Sequence, residues 1–231
     1  MLNKGFEQLR VTAAFPRVNV KIVGTHSGIS IGEDGPSQMS VEDLSLACSL
    51  AGFTVISPAD EWSMMGLMKQ AAEMNGPVFI RAGRVKAPMI YGPEQKFEIG
   101  KAITLIPGTD VTLMATGILV AESIRAAEIL EAEGISSRVI DFHTVKPLDR
   151  ETIAKAAKET RAIVVSEEHL LDAGLGVRVA QIVAETNPAV MEFVGVDNTY
   201  AESGTPDEIL DKYGLRAVNV AAAARRAISR K

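Results

Sequence analysis

Residues 25–38, with the sequence THSGISIGEDGPSQ, concentrate side chains that can ionise or hydrogen-bond a ligand. They include one histidine, His26, two neighbouring acids, Glu33 and Asp34, and three glycines. The glycines permit positive φ and a close approach of the backbone to a bound molecule. Their spacing matches neither the dinucleotide-binding fingerprint nor the phosphate-binding P-loop. The segment predicts either a ligand-binding loop or a polar turn in which His26 and Asp34 are satisfied by neighbouring backbone.

Arg84, which ends the apolar run VFIRAGR, is a further candidate. A guanidinium can bind phosphate through two charged hydrogen bonds, or it can pair with a surface acid. Glu167 and Glu168 follow another β-branched run and in isolation could act as an acid–base pair. Because neighbouring residues at a strand end point to opposite faces, we do not expect a joint site. Cys48 lies in the apolar stretch LSLACSL, which predicts a buried thiol rather than a nucleophile.

The composition of the 231-residue chain is that of a soluble globular protein, with 47% hydrophobic and 23% charged residues. A net charge of −5 argues against binding to nucleic acid or to an anionic membrane, which requires a basic surplus. No apolar run approaches the ~20 residues of a membrane-spanning helix, and the N-terminus has no apolar signal core. The single cysteine excludes an internal disulfide framework and fits a reducing compartment. We therefore expect a cytoplasmic protein.

The candidate loop must be positioned by the elements around it. Short β-branched runs alternate with helical stretches, which predicts an α/β fold with a mainly parallel sheet. VNVKIVG is a predicted strand before the loop, and FTVIS and VFIRAGR are further predicted strands. Ser40 and Asp60 are the predicted N-caps of the two helices between them. Ligands of open α/β sheets bind beyond the carboxyl ends of the strands, where residues 25–38 are expected.

Residues 85–110 interrupt this alternation with three prolines and several glycines, which indicates a linker. We therefore divide the chain into a first domain of residues 1–86, a linker of residues 87–109 and a second domain of residues 110–231. The run KFEIGKAITL could form one strand within the linker. The first domain has only about three predicted strands and opens on a helix. Because a parallel sheet needs its neighbouring strands and both faces covered, we expect this domain to be shortened at its N-terminus.

The sequence resembles the transketolases over essentially its whole length. GTHSGISIGEDGPSQ is similar to their THxxxxxGEDGPxH segment, and FTVISPAD and GPVFIRAGR continue the likeness. Beyond the linker it extends through DVTLMATG, RVIDFHTVKPLD, VVSEEH, DAGLGVRVAQ and GVDNTYAESGTPDEILDKYGL. The C-terminal subunit of split, two-gene transketolases is most similar. The resemblance implies two three-layer α/β/α domains: an N-terminally shortened thiamine-pyrimidine-binding domain with a mostly parallel sheet, then a transketolase C-terminal-type domain.

The resemblance also implies roles for four residues of the first domain. His26 resembles the family histidine that contacts the sugar-phosphate substrate, and Arg84 resembles the arginine that grips the substrate phosphate. Asp34 resembles the carboxylate that hydrogen-bonds a substrate hydroxyl and so helps to select sugar stereochemistry. Gln38 stands where the family usually has a second histidine near the aminopyrimidine of the cofactor and the substrate carbonyl. Glutamine keeps a donor and an acceptor but cannot ionise, which argues against a proton-transfer role at this position.

The cofactors implied by the resemblance are thiamine diphosphate and Mg²⁺, bound mainly by an N-terminal partner. In the family, the glutamate that activates thiamine lies in a GIAEQ-like motif before the helix with which this chain begins. The diphosphate and metal site lies on another domain, and no GDG-type metal motif occurs here. We therefore predict no metal-ligating residue in this chain and expect the isolated chain to be inactive. His143 and His169 match family positions associated with packing and the dimer surface.

The resemblance predicts the C-terminal subunit, or a fragment, of a transketolase that transfers a two-carbon ketol unit between sugar phosphates. The expected partners are an N-terminal transketolase subunit, sugar phosphates and further copies of this chain. Apolar surface left by a missing strand should favour such a homo-oligomer. Two alternatives stay open. The chain could be a non-catalytic interaction or regulatory module of the same fold, or half of a deoxyxylulose-phosphate synthase or 2-oxoacid dehydrogenase.

Overall fold

The computed structural model describes residues 2–231 and shows an α/β protein with two sheets. In chain order the strands are β1 (Lys21–Gly24), β2 (Thr54–Ile56), β3 (Val78–Arg81), β4 (Ile103–Ile106), β5 (Val111–Ala115), β6 (Ser137–Asp141), β7 (Thr144–Lys146), β8 (Ala162–Leu170) and β9 (Val190–Val196). The α-helices are α1 (Leu2–Leu9), α2 (Asp43–Ser49), α3 (Glu61–Glu73), α4 (Leu119–Glu131), α5 (Arg150–Thr160), α6 (Leu175–Glu185), α7 (Pro206–Lys212) and α8 (Ala217–Ser229). The predicted fold class is confirmed. Within residues 2–231, every helix is too short or too polar to cross a membrane.

The first sheet carries the two segments that hold the candidate residues. Its strand order is β1-β3-β2-β7, and β1, β3 and β2 pair in parallel. All four residues of β3 are buried, as expected for a parallel strand that is covered on both faces. Because β1 and β3 are parallel neighbours, their carboxyl ends meet at one edge of the sheet. The segments that follow Gly24 and Arg81 therefore lie side by side.

The fourth strand of this sheet comes from the second half of the chain. β7 pairs antiparallel with β2, with Ile56 opposite Thr144. The sequence predicts about three strands for this sheet and misses β7. β7 has only three residues and pairs with a strand that is distant in the sequence, so no local sequence pattern predicts it. Residues 144–146 thus belong by sequence to the predicted second domain and by hydrogen bonding to the first sheet.

The second sheet has the order β4-β6-β5-β8-β9, in which β6, β5, β8 and β9 are parallel and β4 pairs antiparallel with β6. β5 is entirely buried, and helices α4 and α8 pack against one another and against the sheet. The strand predicted within KFEIGKAITL is present only as β4. Since β4 lies inside residues 87–109, the predicted linker contributes an edge strand to the second sheet.

The N-caps of the first two helices after the candidate loop differ from one another. Asp60 caps α3, accepts a hydrogen bond from the Ser63 backbone N–H and forms a reciprocal capping box with it, which confirms the prediction. Ser40 does not cap α2, which begins at Asp43 without a side-chain cap. The Ser40 carbonyl instead accepts a hydrogen bond from the Gly28 backbone N–H at 2.8 Å. Ser40 is therefore part of a backbone bridge that closes the loop.

The loop between β1 and α2 is packed into the protein interior along part of its length. Ile29 and Ile31 are buried and belong to the same apolar cluster as Val194 and Val196 of β9. Surface loops seldom bury apolar side chains in this way. The second sheet therefore supports a loop that begins at the first. Cys48 of α2 is also buried, as the sequence predicts.

Candidate functional site

The candidate loop begins at the carboxyl end of β1 with His26. The backbone of His26 is left-handed, with φ of 62°, a conformation uncommon for residues other than glycine. The exposed imidazole places Nδ1 2.9 Å from Thr25 Oγ1. The next residue, Ser27, donates to the Ala82 carbonyl through its backbone N–H at 3.2 Å and through its hydroxyl at 3.0 Å. The start of the loop is thus bound to the segment that leads to Arg84.

Arg84 lies against the second part of the loop. Its Nη1 donates to the Ile31 carbonyl at 2.8 Å and to Glu33 Oε2 at 3.3 Å, and it lies 3.6 Å from Asp34 Oδ2. The Arg84 side chain is 40% exposed and accessible to a ligand. The structure brings two predicted site residues, Arg84 and Asp34, into one ion-pair cluster. It adds Glu33, to which the sequence analysis gave no role.

Gln38 lies apart from this cluster, on the exposed turn that ends the loop. Its Nε2 donates to Ser37 Oγ at 3.4 Å, and its backbone N–H donates to the Gly35 carbonyl at 3.1 Å. Within residues 2–231, no hydrogen bond joins Gln38 to His26 or to Arg84. The candidate residues therefore form three separate polar groups: His26 at the start of the loop, Arg84 with Asp34, and Gln38 at the end of the loop.

The exposed cluster is suited to recognition of a ligand that carries both phosphate and hydroxyl groups. Arg84 uses only Nη1 in its protein contacts, so further N–H donors are available to phosphate oxygens. The Asp34 carboxylate can accept a hydrogen bond from a hydroxyl beside it. His26 can donate or accept at its exposed ring. Within the loop, the Thr25 hydroxyl lies within hydrogen-bond distance of the His26 imidazole, and both side chains are exposed. The arrangement as a whole is suited to binding and orienting a ligand.

A second set of charged groups is buried beneath the loop. Arg81, at the end of β3, donates through Nε to Asp43 Oδ2 at 2.8 Å and through Nη2 to the Glu168 carbonyl at 2.9 Å. The side chains of Arg81 and Asp43 are each only 4% exposed. The sequence analysis missed both residues. A cation inside the apolar run VFIR was the available signal, because a buried arginine requires a buried partner.

Glu167 and Glu168 point in different directions, as predicted for neighbours on a strand. The Glu167 carboxylate accepts from the backbone N–H groups of Leu175 and Gly176, at 2.7 and 2.8 Å, where α6 begins. The Glu168 carboxylate accepts from the Ser30 backbone N–H at 2.5 Å, within the candidate loop. Burial raises the pKa of both carboxyl groups, and these amide hydrogen bonds partly oppose the rise. The two carboxylates therefore bind different segments: Glu167 binds the start of α6, and Glu168 binds the candidate loop.

A polar cluster lies between the two sheets. The Tyr91 hydroxyl donates to Asp141 Oδ2 at 2.7 Å, and Asp60 Oδ2 accepts from the Tyr91 backbone N–H at 2.8 Å. Burial raises the pKa of Asp141 to about 7, although the Tyr91 hydrogen bond opposes the rise.

The two histidines of the second half of the chain are both buried. Burial lowers the pKa of His143 to about 4, so its ring is neutral at pH 7. His169 is also fully buried, and its Nε2 accepts a hydrogen bond from the backbone of α2. These positions support the structural roles expected of the two histidines.

Two cavities adjoin the segment that follows β3. One, of about 250 Å³, is lined in part by Asp60, Arg81 and Lys86, and the other, of about 340 Å³, by Lys86, Arg125 and Arg216. Neither of these two cavities is lined by His26, Asp34 or Arg84. Ligand sites usually enclose most of the ligand surface. The candidate cluster is therefore an open surface that another surface must cover to form an enclosed site.

Residues 2–231 show no side-chain cluster that would by itself identify a metal site. They contain no group of three or more His, Cys, Asp or Glu side chains arranged to hold a metal ion. Mg²⁺ bound to phosphates requires near-octahedral coordination by oxygen, including one or two carboxylates. A site of this kind can use fewer than three side chains, so the described part of the chain gives no evidence for or against it.

Two family descriptions match this chain. "Transketolase, pyrimidine binding domain" matches residues 2–89, and "Transketolase, C-terminal domain" matches residues 100–220. A "Putative transketolase C-terminal section" from Methanocaldococcus jannaschii is 37% identical over 94% of this chain and 69% of that protein. The "6-deoxy-6-sulfo-D-fructose transketolase subunit SqwH" of a Clostridium species is 37% identical over 97% of this chain and 70% of that protein. A subunit of the apulose-4-phosphate transketolase of Phocaeicola vulgatus is 35% identical over 92% of this chain and 68% of that protein.

Two solved structures are also similar to this chain. A structure described as "Split gene transketolase, inactive beta4 tetramer" superposes with a TM-score of 0.93 at 42% identity, covering 98% of this chain and 72% of that one. A transketolase variant from Pichia stipitis superposes with a TM-score of 0.79 at 21% identity, covering 99% of this chain and 32% of that one. At that identity the second likeness supports the fold alone.

Proposed function

Because this chain belongs to the transketolase family, we propose that it provides the substrate-binding surface of a transketolase that acts as an assembly. In that assembly it is the C-terminal subunit or fragment, and the reaction moves a two-carbon ketol unit between sugar phosphates. The observation that carries the proposal is the contact between Arg84 and Asp34, 3.6 Å apart on an exposed surface at the carboxyl ends of β1 and β3. A cation and an acceptor at this spacing suit a phosphate and a hydroxyl of one ligand.

Each exposed side chain of the site has a proposed role. Arg84 binds the substrate phosphate, Asp34 accepts a hydrogen bond from a substrate hydroxyl, and His26 contacts the sugar phosphate from the start of the loop. Gln38 lies near the aminopyrimidine of the cofactor and contributes hydrogen bonds without a change of charge. None of these side chains requires a metal ion for its role.

The transketolase family depends on thiamine diphosphate, which supplies the carbanion chemistry when it is bound. Among the described residues, no group of three or more His, Cys, Asp or Glu side chains could hold a metal ion. We assign the diphosphate and Mg²⁺ to an N-terminal partner subunit, whose surface also covers the open Arg84 cluster. The relatives described as a C-terminal section and as subunits support a division of the enzyme between chains.

We further propose that the isolated chain is inactive, because the diphosphate and Mg²⁺ are assigned to the partner, and that it associates with copies of itself. The similar structure described as an inactive beta4 tetramer supports both statements by analogy. The expected test is sedimentation of the chain alone together with an assay for ketol transfer. A monomer at high protein concentration, or ketol transfer by the chain alone, would contradict these two proposals.

The proposed function is tested by mixing the chain with its N-terminal partner, thiamine diphosphate and Mg²⁺. Transfer from a ketose phosphate to an aldose phosphate should be recovered. In this assembly, Arg84→Ala should raise KM for the ketose phosphate about tenfold to hundredfold, since a hydrogen bond to a charged group contributes about 1.5–3 kcal/mol. An unphosphorylated ketose should be used equally well by both proteins, because Arg84 contacts only the phosphate.

The matched control is Arg225→Ala. Arg225 is 43% exposed and pairs with Glu133, so it resembles Arg84 in exposure and charge environment but lies on α8. Its replacement should leave KM unchanged. If a folded, assembled enzyme fails to transfer a ketol unit, the proposed function is wrong. An unchanged KM in Arg84→Ala would remove Arg84 from the site.

Gln38 favours a second candidate, a non-catalytic interaction or regulatory module of the same fold. The same mixing experiment separates the two: a module binds the partner and sugar phosphates without ketol transfer. Half of a deoxyxylulose-phosphate synthase or 2-oxoacid dehydrogenase would instead use pyruvate or another 2-oxoacid as donor. Such a donor carries no phosphate for Arg84, so Arg84→Ala would not change its KM.

A further inference from the structure

The side chain of Glu168 reaches from the second sheet into the candidate loop beside the first. Glu168 lies on β8 and is only 3% exposed. Its Oε1 accepts a hydrogen bond from the Ser30 backbone N–H at 2.5 Å. Ser30 lies between the buried Ile29 and Ile31, so this hydrogen bond holds a buried part of the loop. The loop carries His26 and Asp34 on either side of this point.

The loop backbone is shaped around the Glu168 carboxylate. Gly28 has φ of 76°, and a Cβ at this position would overlap the carboxylate carbon and both oxygens of Glu168. Only glycine permits both the left-handed backbone and the close approach of the carboxylate. Gly28 is also paired with Ser40 in the bridge that closes the loop. The positions of residues 28–30 are therefore set jointly by Glu168 and by Ser40.

The backbone of Glu168 is bound to the second segment of the site as well. Arg81 Nη2 donates to the Glu168 carbonyl at 2.9 Å, and Arg81 Nε donates to Asp43 Oδ2 at 2.8 Å. Arg81 is the last residue of β3, three residues before Arg84. Glu168 thus contacts the loop through its carboxylate and the Arg84 segment through its carbonyl. The two halves of the proposed substrate surface meet at this residue.

Burial of the Glu168 carboxylate has a cost in free energy. Burial of a carboxyl group disfavours its charged form and costs free energy that hydrogen bonds must offset. At Glu168 the compensation comes from the Ser30 backbone and from the nearby Arg81 charge. An apolar side chain of similar size would avoid the desolvation cost but would leave the Ser30 N–H unpaired inside the protein.

From this geometry we propose that Glu168 is a positioning residue for substrate binding. Its carboxylate fixes residues 28–30, and through them the places of His26 and Asp34 relative to Arg84. The catalytic consequence rests on the proposed function, whereas the fixing of the loop does not. In this proposal the second domain controls the geometry of a substrate surface formed by the first.

The effect on the loop is tested in the chain alone by hydrogen–deuterium exchange of the backbone amides of residues 27–31. Glu168→Ala should speed exchange of the Ser30 amide at least about tenfold, because an amide without an acceptor opens more readily. Glu168→Gln keeps an acceptor oxygen and should stay close to the wild-type rate. Glu167→Ala is the matched control, since Glu167 is equally buried but accepts from the start of α6. It should leave the loop amides unchanged.

The effect on catalysis is tested in the assembly with the N-terminal partner, thiamine diphosphate and Mg²⁺. Glu168→Ala should lower kcat/KM for the ketose phosphate about tenfold or more, mainly by raising KM, whereas Glu168→Gln should stay within about threefold of wild type. In a His26→Ala background, Glu168→Ala should cost less than it does alone, because residues that act through one another are not additive. If Glu168→Ala does not fold, Glu168→Asp takes its place, with a smaller loss in the same direction.

The outcomes separate this proposal from the proposed function. Unchanged exchange of residues 27–31 in Glu168→Ala would overturn the positioning role, whatever the activity. An equal loss of kcat/KM in Glu167→Ala would overturn it too, because the effect would then be one of general stability. Faster loop exchange in an assembly that never transfers a ketol unit would support the positioning role and contradict the proposed function.

Discussion

Among the single residues of the proposed site, Arg84 lies beside two acids. Its guanidinium lies 3.3 Å from Glu33 and 3.6 Å from Asp34. In the proposed function, a substrate phosphate binds the free N–H donors of a guanidinium whose charge Glu33 already partly neutralises, while Asp34 accepts from a hydroxyl. The two acids, adjacent in sequence, thus have opposite expected effects on substrate affinity. The sequence names Asp34 through its resemblance to a family, and only the structure shows that Glu33 contacts Arg84.

Replacement of these acids gives a prediction at the same scale. Glu33→Gln should lower KM for the ketose phosphate up to about fivefold, because an exposed ion pair contributes about 0.2–1 kcal/mol. Asp34→Asn should raise KM, because the amide is a poorer acceptor for the substrate hydroxyl. The measurement is the initial rate of ketol transfer at low ionic strength. Glu202→Gln is the control, since Glu202 is an exposed acid paired with Lys212. A rise of KM in Glu33→Gln would show that Glu33 assists binding.

Among the elements, the loop between β1 and α2 combines a strained backbone with tight packing. Gly28 and Gly52 both have φ near 77°, but only Gly28 faces a neighbouring group at its missing Cβ. At Gly52 no heavy atom lies within 4 Å of that point. A comparison of alanine substitutions at Gly28 and Gly52 therefore separates the free-energy cost of a left-handed backbone from that of a steric clash with Glu168.

This comparison gives a prediction for the loop. Gly52→Ala should lower the free energy of unfolding by about 1–2 kcal/mol, the cost of a left-handed alanine. Gly28→Ala should lower it by a further ~1–3 kcal/mol, because the new Cβ overlaps the Glu168 carboxylate. In a Glu168→Ala background this additional loss should largely disappear. Denaturant unfolding of the four variants measures these differences. Equal losses in Gly28→Ala and Gly52→Ala would show that Glu168 moves aside at little cost.

At the scale of the whole molecule, the two sheets are interlocked rather than joined by a linker alone. β7 extends the first sheet from the second half of the chain, and Ile29 and Ile31 belong to the apolar cluster that includes residues of the second sheet. The polar cluster of Tyr91, Asp60 and Asp141 lies between the sheets. The domain boundaries at residues 86 and 110 therefore stay a prediction from the sequence. We expect unfolding of one half of the chain to destabilise the other.

The buried Asp141 makes the stability of the molecule depend on pH. Its pKa is raised from 3.8 to about 7 by burial, so the fold favours the protonated carboxyl group. The stability that comes from the protonated Asp141 carboxyl group is fully present below about pH 4, and it is lost as the pH rises through 7. Relative to Asp141→Asn, the wild-type protein should lose up to about 4 kcal/mol between pH 4 and pH 8, at about 1.4 kcal/mol per pH unit of pKa shift.

Denaturant unfolding of both proteins across this pH range makes the measurement. The amide of Asp141→Asn still offers an oxygen to the Tyr91 hydroxyl, so the substitution removes the titration and keeps the hydrogen bond. Asp172→Asn, at an exposed carboxyl group, should follow the wild-type pH dependence. A constant difference between wild type and Asp141→Asn at all pH values would contradict the raised pKa.

The sequence by itself determined the fold class, the order of the principal elements, the Asp60 cap and the likeness to the transketolases. These features have local causes: apolar periodicity, turn residues and capping side chains lie within a few residues of one another. It also pointed to Arg84 and Asp34, although their roles came through the likeness. Only the tertiary structure decided that Arg84 contacts Glu33, that β7 completes the first sheet and that Glu168 holds the candidate loop. These contacts join residues far apart in the chain, where packing and burial rather than local propensity select the partner.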